Sequence, residues 1–144
     1  MRRRRFSAIL LAAGASLSRG FAATTGTAAK ESVRGKLVQR KDKPAIVLTD
    51  DGQEITLSGD DDTQKVLHDP RLADVALEAI GHFTAPGQFA VEPIFEKNLF
   101  ALKNGKRLRI TYWCDVCSIR TYSPGTCVCC QKWTGLDLQD PNQE

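Results

Sequence analysis

The sequence contains, after its first twenty residues, no apolar run approaching the roughly 18 consecutive residues that a membrane-spanning helix requires. It also lacks a Ser/His/Asp set, a pair of carboxylates spaced for acid–base chemistry and a glycine-rich phosphate loop. The absence of these constellations indicates a binding or structural protein rather than an enzyme. With 42% hydrophobic and 26% charged residues in 144 positions, the composition is that of a modest globular domain.

Charge is distributed unevenly along the chain, because no acidic residue precedes Glu31. Of the 20 Lys and Arg residues, 5 lie in the first twenty positions, which leaves 15 basic against 17 acidic residues in the rest. The formal net charge of +3 therefore becomes −2 when the N-terminal segment is left out. The basic overall balance is thus poor support for a nucleic-acid partner.

Residues 1–22 have the organisation of a signal peptide. The basic residues Arg2–Arg5 come first, and the short apolar segment Ser7–Leu17 follows them. Gly20 and Ala22 then supply the small side chains that a signal peptidase requires before its cleavage site. The pattern predicts export to the periplasm or secretion, with no transmembrane segment left after the signal is removed.

The arrangement Arg3-Arg4-Arg5-Phe6 resembles the core of a twin-arginine signal. That resemblance implies export of an already folded protein, often with its cofactor loaded, while the general secretory route stays open as an alternative. The leader contains no cysteine, which argues against a lipid anchor. Residues 23–31, rich in Thr, Ala and Gly at their start, are predicted to form a flexible linker.

Residues 32–112 are predicted to form a mainly β domain of five to seven short strands and one short helix. Two hairpins are indicated, one turning at Asp50-Asp51-Gly52 and the other at Asn104-Gly105. A small OB-like antiparallel barrel, with the helix between its third and fourth strands, fits this order. An open sheet with one helix would produce the same pattern.

The predicted helix, Thr63–His68, follows the acidic run Asp60-Asp61-Asp62. Acidic side chains at a helix start accept its free N–H groups, so we interpret the run as a cap. A divalent cation site is the alternative, but the run lacks the ligand spacing of an EF-hand loop. Asp69-Pro70 is expected to end the helix.

All 5 cysteines lie between positions 114 and 130. Two C-x-x-C pairs, Cys114/Cys117 and Cys127/Cys130, supply the four thiolates of a tetrahedral zinc site. We therefore predict a four-cysteine zinc-ribbon knuckle at residues 113–135, followed by a tail at 136–144, with iron or copper as alternatives to zinc. Cys129 is the remaining cysteine, either a spare thiol or an alternate ligand for a soft ion such as Cu(I).

Other uses of the cysteines fit the pattern less well. Disulfides are common in exported proteins, but an odd count in one short segment leaves a thiol unpaired. A thioredoxin-type redox pair requires a C-x-x-C at a helix start, whereas here a predicted strand leads into the first pair. Covalent haem needs His after the second cysteine, and Ser118 and Gln131 stand there instead.

The segment resembles the zinc-ribbon class and, more narrowly, the short heavy-metal-binding ribbons of copper and heavy-metal transport proteins. The likeness covers about twenty residues and departs from that family at two places, since Cys117 stands where the family has His and Gln131-Lys132 where it has Gly-Met. The matching residues are Tyr112, Cys114, Pro124, Gly125, Cys127 and Cys130. The resemblance implies metal binding.

We therefore expect an exported small metal-binding protein, acting as a binding or structural module on an unidentified protein or small ligand. Capture or buffering of Zn or Cu in the cell envelope is the alternative, and thiol–disulfide oxidoreduction a second one. Two surfaces are also expected. The aromatic residues of the cysteine segment should pack over the knuckles; they are Trp113, Tyr122 and Trp133. A set of basic residues should form either a solvated face or an anion-docking face; they are Lys97, Lys103, Lys106, Arg107, Arg109 and Arg120.

Overall fold

A computed structural model describes residues 29–143 of the chain. The predicted signal peptide and residues 23–28 of the predicted linker lie outside this range. In sequence order the elements are β1 Glu31–Val38, β2 Ile46–Leu48, β3 Glu54–Ser58, α1 Asp61–Leu67, β4 Ala76–Ala85, β5 Gln88–Val91, α2 Phe95–Asn98, β6 Leu99–Lys103, β7 Lys106–Cys114, β8 Ile119–Thr121 and β9 Gly135–Gln139. A single 3-10 turn, Pro70–Leu72, stands between α1 and β4.

Strands β1 to β5 form a closed five-stranded barrel. The circuit runs β1–β2–β3–β5–β4 and returns to β1, with β3 and β5 as its one parallel pair. Helix α1 connects β3 to β4. The OB-like barrel predicted from the sequence is therefore confirmed, and closure through the β1–β4 pairing excludes the open sheet.

Two glycines let the long strands bend around this barrel. Gly35 precedes Lys36, which pairs with both β2 and β4, and Gly81 pairs with both β1 and β5. A Cβ atom at either position would overlap a carbonyl oxygen of the neighbouring strand, that of Leu48 or that of Ala90. Glycine is required here because the backbones approach too closely for a side chain.

Helix α1 begins as the acidic run predicts. The Asp60 carboxylate accepts a hydrogen bond from the Thr63 N–H at 2.8 Å, and this bond lowers the pKa of Asp60. After the helix, Asp69 caps the 3-10 turn by accepting from the Arg71 N–H at 3.0 Å. Val66 and Leu67 of α1 are buried in the same apolar core as the barrel strands.

The barrel sheet continues into the cysteine-rich segment. Strand β6 pairs with β4, and the β6–β7 hairpin turns at Asn104-Gly105, both with positive φ, as the sequence predicts. Strand β7 then pairs with β8 and with β9. Strand β7 therefore belongs both to the sheet that continues from the barrel and to the cysteine-rich segment.

The sequence pattern missed three of these elements. Helix α2 is one turn long and places Phe95 in the core, so the domain has two helices rather than the single one predicted. Strand β8 is only three residues long. Strand β9, Gly135–Gln139, occupies the first part of the segment predicted as a tail, and its Leu136 and Leu138 pack against the core. Within residues 29–143, no helix is long and apolar enough to cross a membrane.

Candidate metal centre

The two C-x-x-C pairs come together at the end of β7. Cys114 is the last residue of β7, Cys117 lies in the turn before β8, and the other pair lies in the loop before β9. The Sγ atoms of Cys114, Cys117, Cys127 and Cys130 all lie within 4.8 Å of one another. The four cysteines chosen from the sequence are therefore one cluster able to hold a metal ion.

The two turns share one backbone feature. The residue that follows each pair, Ser118 or Gln131, adopts a left-handed conformation with φ of 52° and 59° respectively. In the second turn the Gln131 N–H donates to the Cys127 carbonyl at 2.9 Å, which closes the loop behind the sulfurs. A side chain is costly at positive φ, so both positions carry strain that glycine would relieve.

Backbone N–H groups are directed at the sulfur of Cys127. Hydrogen bonds from the Cys130 and Cys129 amides lower the pKa of the Cys127 thiol to about 7. The Cys129 N–H lies 3.4 Å from this sulfur. Such donors stabilise a thiolate, which is the protonation state that binds a metal.

The cluster has a buried and an outer side. Cys114 and Cys127 are 2% and 1% exposed, whereas Cys117 and Cys130 are half-buried. Cys129 is exposed. The Cys129 thiol raises the pKa of Cys117, and burial raises it further. The fifth cysteine is thus adjacent to the cluster on its solvent side.

The donor set fits a soft or borderline cation. Four sulfurs bound at about 2.3 Å to a tetrahedral ion lie about 3.8 Å apart, and the sulfurs of Cys114 and Cys130 lie 3.5 Å apart in this cluster. A disulfide would bring two sulfurs to about 2.05 Å, and all five cysteines are free. An all-thiolate set favours Zn, Fe or Cu(I) over Mg or Ca.

The second cysteine turn is tied to the barrel by Arg71. The Thr134 hydroxyl and the Thr134 N–H both donate hydrogen bonds to the Gly125 carbonyl, at 2.9 and 3.0 Å respectively. These two bonds close the loop that holds Cys127. The guanidinium of Arg71 donates to the Thr134 carbonyl at 2.6 Å and forms an ion pair with the buried Asp69. It also lies over the Tyr112 ring, at 5.1 Å. No local sequence signal indicates this anchor.

The aromatic shell expected over the knuckles is absent at Trp133, which is 75% exposed. Tyr122 is 39% exposed, and Trp113 contacts the Arg120 guanidinium, 5.0 Å from its ring centre. The indole of Trp133 instead forms one wall of an open cavity of about 510 Å³ between the second cysteine turn and the 3-10 turn.

The expected basic face is partly neutralised by ion pairs. The carboxylate of the fully buried Glu78 accepts hydrogen bonds from Arg34 and Arg107. The two bonds from the Arg107 guanidinium to this carboxylate are 2.5 and 2.7 Å long. Burial alone would raise the pKa of Glu78, but the hydrogen bonds from the two arginines outweigh it and hold that pKa below its ordinary value. Arg120 pairs with Asp137 at 2.6 Å. The basic residues therefore do not form one uncompensated surface.

Thr111 alternates along β7 with Ile110 and Tyr112, and it is fully buried although it is polar. Its partner on β9 is Asp137: the Thr111 hydroxyl donates to the Asp137 carbonyl and accepts from Arg120, both at 2.6 Å. Pairing with β9 places β7 inside the sheet.

The fold and the cluster together define a class: an OB-like β-barrel whose sheet extends into a four-cysteine metal-binding segment. Comparisons with protein-family models, with curated proteins and with solved structures find no match to this chain.

Proposed function

We propose that this protein is an exported binding or structural module in which Cys114, Cys117, Cys127 and Cys130 hold one structural zinc ion. The observation that carries the proposal is the burial pattern around the cluster. Among residues 113–135, the buried side chains are those of Cys114, Cys127 and Thr134 alone. A segment with so small an apolar interior depends on a bound metal for its stability.

A structural role agrees with the ligand count. Four protein ligands complete the tetrahedral shell of zinc, whereas a catalytic site keeps one position for water or substrate. Neither C-x-x-C pair stands at a helix start in the part of the chain that the structure describes, so the geometry offers no support for a thioredoxin-type exchange site.

Metal handling is the second candidate, and Cys129 favours it. An exposed thiol beside a half-buried ligand can receive an ion during ligand exchange. This candidate takes Cu(I) or zinc as cargo and predicts rapid transfer to a competing ligand. The structural candidate predicts slow release and loss of order in the cysteine segment.

Export is part of the proposal and rests on the basic and apolar pattern of residues 1–22. The twin-arginine route suits a chain whose metal is bound on folding. Under that proposal the zinc ion is inserted before the protein crosses the membrane, and the mature protein resides in the periplasm or outside the cell.

The test is to purify the full-length chain without added metal and to measure metals and reactive thiols on the same sample. We expect about one zinc per chain and one readily reactive thiol, that of Cys129. The other four cysteines should react only after a chelator is added. Cys127→Ser should lose the zinc, whereas Val128→Ser, a change at an exposed neighbour, should keep it.

Two results would contradict the structural zinc. A chain that is folded without metal, with its thiols oxidised to disulfides, would refute both metal candidates. Bound copper that exchanges within seconds would replace the structural candidate by metal handling. Loss of order on chelation should be confined to residues 113–139, since the barrel has its own core.

A further inference from the structure

Trp133 has an exposed indole on a backbone whose position is closely defined. Its main chain forms a β-bridge with Thr126, and the carbonyl of the preceding Lys132 accepts a hydrogen bond from the Cys127 N–H at 2.8 Å. The following residue, Thr134, is bonded to Arg71 of the barrel side. A large apolar ring held in solvent is informative, because covering its surface would be favourable.

The cavity beside this ring, of about 510 Å³, has two sides that come from different parts of the fold. Pro124 and Trp133 of the cysteine segment form one side. The other side is formed by α1 and the 3-10 turn and comprises Lys65, His68, Asp69, Pro70 and Arg71. A cavity of this volume is in the range of small-molecule binding sites.

The charge that a ligand would meet in the cavity is positive. Asp69 is the one acidic residue of the lining, and its side chain is 2% exposed and bound to Arg71. Arg71 uses three of its five N–H donors on Asp69 and on the Thr134 carbonyl, which leaves two for a ligand. Lys65 pairs only with Asp62, and both side chains of that pair are more than half exposed, so the pair is weak and the ammonium is available.

The rest of the lining is apolar and fixed in place. The indole of Trp133 and the rings of Pro70 and Pro124 offer flat carbon surfaces. The two ring nitrogens of His68 lie 2.9 Å from the Gln64 carbonyl oxygen and 3.2 Å from that of Lys43. Because both nitrogens are already engaged, His68 adds a fixed ring rather than a free polar group.

We propose that this cavity binds a small organic anion with a flat apolar body, of the aromatic carboxylate class, and that it does so only when the metal is bound. The metal dependence rests on the proposed function. Pro124 and Trp133 flank Cys127 and Cys130 in sequence, so loss of the metal removes one side of the cavity. The α1 side remains, because α1 belongs to the barrel core.

The experiment titrates the zinc-loaded full-length chain with naphthoate in an isothermal calorimeter. The matched control ligand is naphthamide, which has the same rings without the charge. We expect naphthoate to bind with a dissociation constant below about 1 mM, and naphthamide to bind at least about tenfold more weakly.

Four variants locate the binding site. Trp133→Ala should weaken naphthoate binding at least about tenfold, and Lys65→Gln about three- to tenfold. Two matched controls lie outside the lining and should leave the affinity unchanged: Tyr122→Ala, at another exposed aromatic residue of the cysteine segment, and Lys103→Gln, at an exposed lysine of β6. All four variants should contain as much zinc as the unaltered chain.

Removal of zinc with a chelator should abolish naphthoate binding. By linkage, saturating naphthoate should tighten zinc binding by the same factor as zinc tightens naphthoate binding. Naphthoate binding that survives chelation would overturn the metal dependence and with it the inference.

The outcomes separate this inference from the proposed function. Absence of zinc from the untreated chain overturns both. Normal zinc content with equal binding of naphthoate and naphthamide overturns the inference alone. Unchanged naphthoate affinity in Trp133→Ala does the same, because a carboxylate that bound the zinc ion itself would not depend on the indole.

Discussion

The left-handed residues behind the metal ligands lead to a quantitative prediction about metal affinity. Gln131 has φ of 59°, and its N–H closes the second cysteine turn onto Cys127. Holding a non-glycine residue there costs about 1–2 kcal/mol. Glycine removes this cost but loses about 0.5–1 kcal/mol more conformational entropy on ordering. At the middle of these two ranges, the net gain for Gln131→Gly is about 0.75 kcal/mol.

If the cysteine segment orders only with its metal, this gain belongs to metal binding. Gln131→Gly should then bind zinc about two- to fivefold more tightly. Competition against a chromogenic chelator of known affinity measures the change. Ser118→Gly, with φ of 52° in the first turn, should give a similar increase.

Lys132→Gly is the matched control, because Lys132 is exposed and does not have positive φ. Glycine there adds only the entropy cost and should weaken zinc binding about two- to fivefold. The reasoning would be refuted if Gln131→Gly bound zinc no more tightly than the unaltered chain, or if both glycine variants changed the affinity in the same direction.

Further predictions concern the barrel and the leader. Glu78→Gln should lower the free energy of unfolding at pH 7 by about 1–2 kcal/mol. In the folded chain the pKa of Glu78 is below its ordinary value of 4.5. The difference in unfolding free energy between the two proteins should therefore be complete above pH 4.5 and shrink as the pH falls below it. Urea titrations that show the opposite trend would contradict this prediction. Gly81→Ala should cost more than about 2 kcal/mol through overlap with β5, whereas Gly135→Ala, with its nearest atom at 3.8 Å, should be close to neutral in the same titrations. Replacing Arg3 and Arg4 by Lys should abolish export if the twin-arginine route is used, and export measured by cell fractionation should be unchanged on the general secretory route.

The ion network around Glu78 shows why the basic surface could not be predicted from the sequence. Glu78 and Arg34 are 44 positions apart and meet only because β1 and β4 pair across the barrel. Arg107 reaches the same carboxylate from β7, on the far side of β6. A sequence pattern reports the charge of each residue but not which charges a closed sheet brings together.

The metal ligands could be found from sequence because their geometry is local. Each C-x-x-C pair places two sulfurs within one turn, and the spacing itself carries that information. The Asp60 cap and the Asn104-Gly105 turn were predictable for the same reason, since their hydrogen bonds span a few residues.

The sequence by itself thus determined the local elements: the turns, the capped helix, the alternating strands and the four candidate ligands. Tertiary structure alone decided what those elements meet. It closed the barrel, placed β9 against β7, and brought Arg71 to Thr134 across 63 positions of sequence. It also left Cys129 exposed while it buried Cys114 and Cys127. The physical reason is that these contacts depend on burial and strand pairing between distant segments, which no short window of sequence encodes.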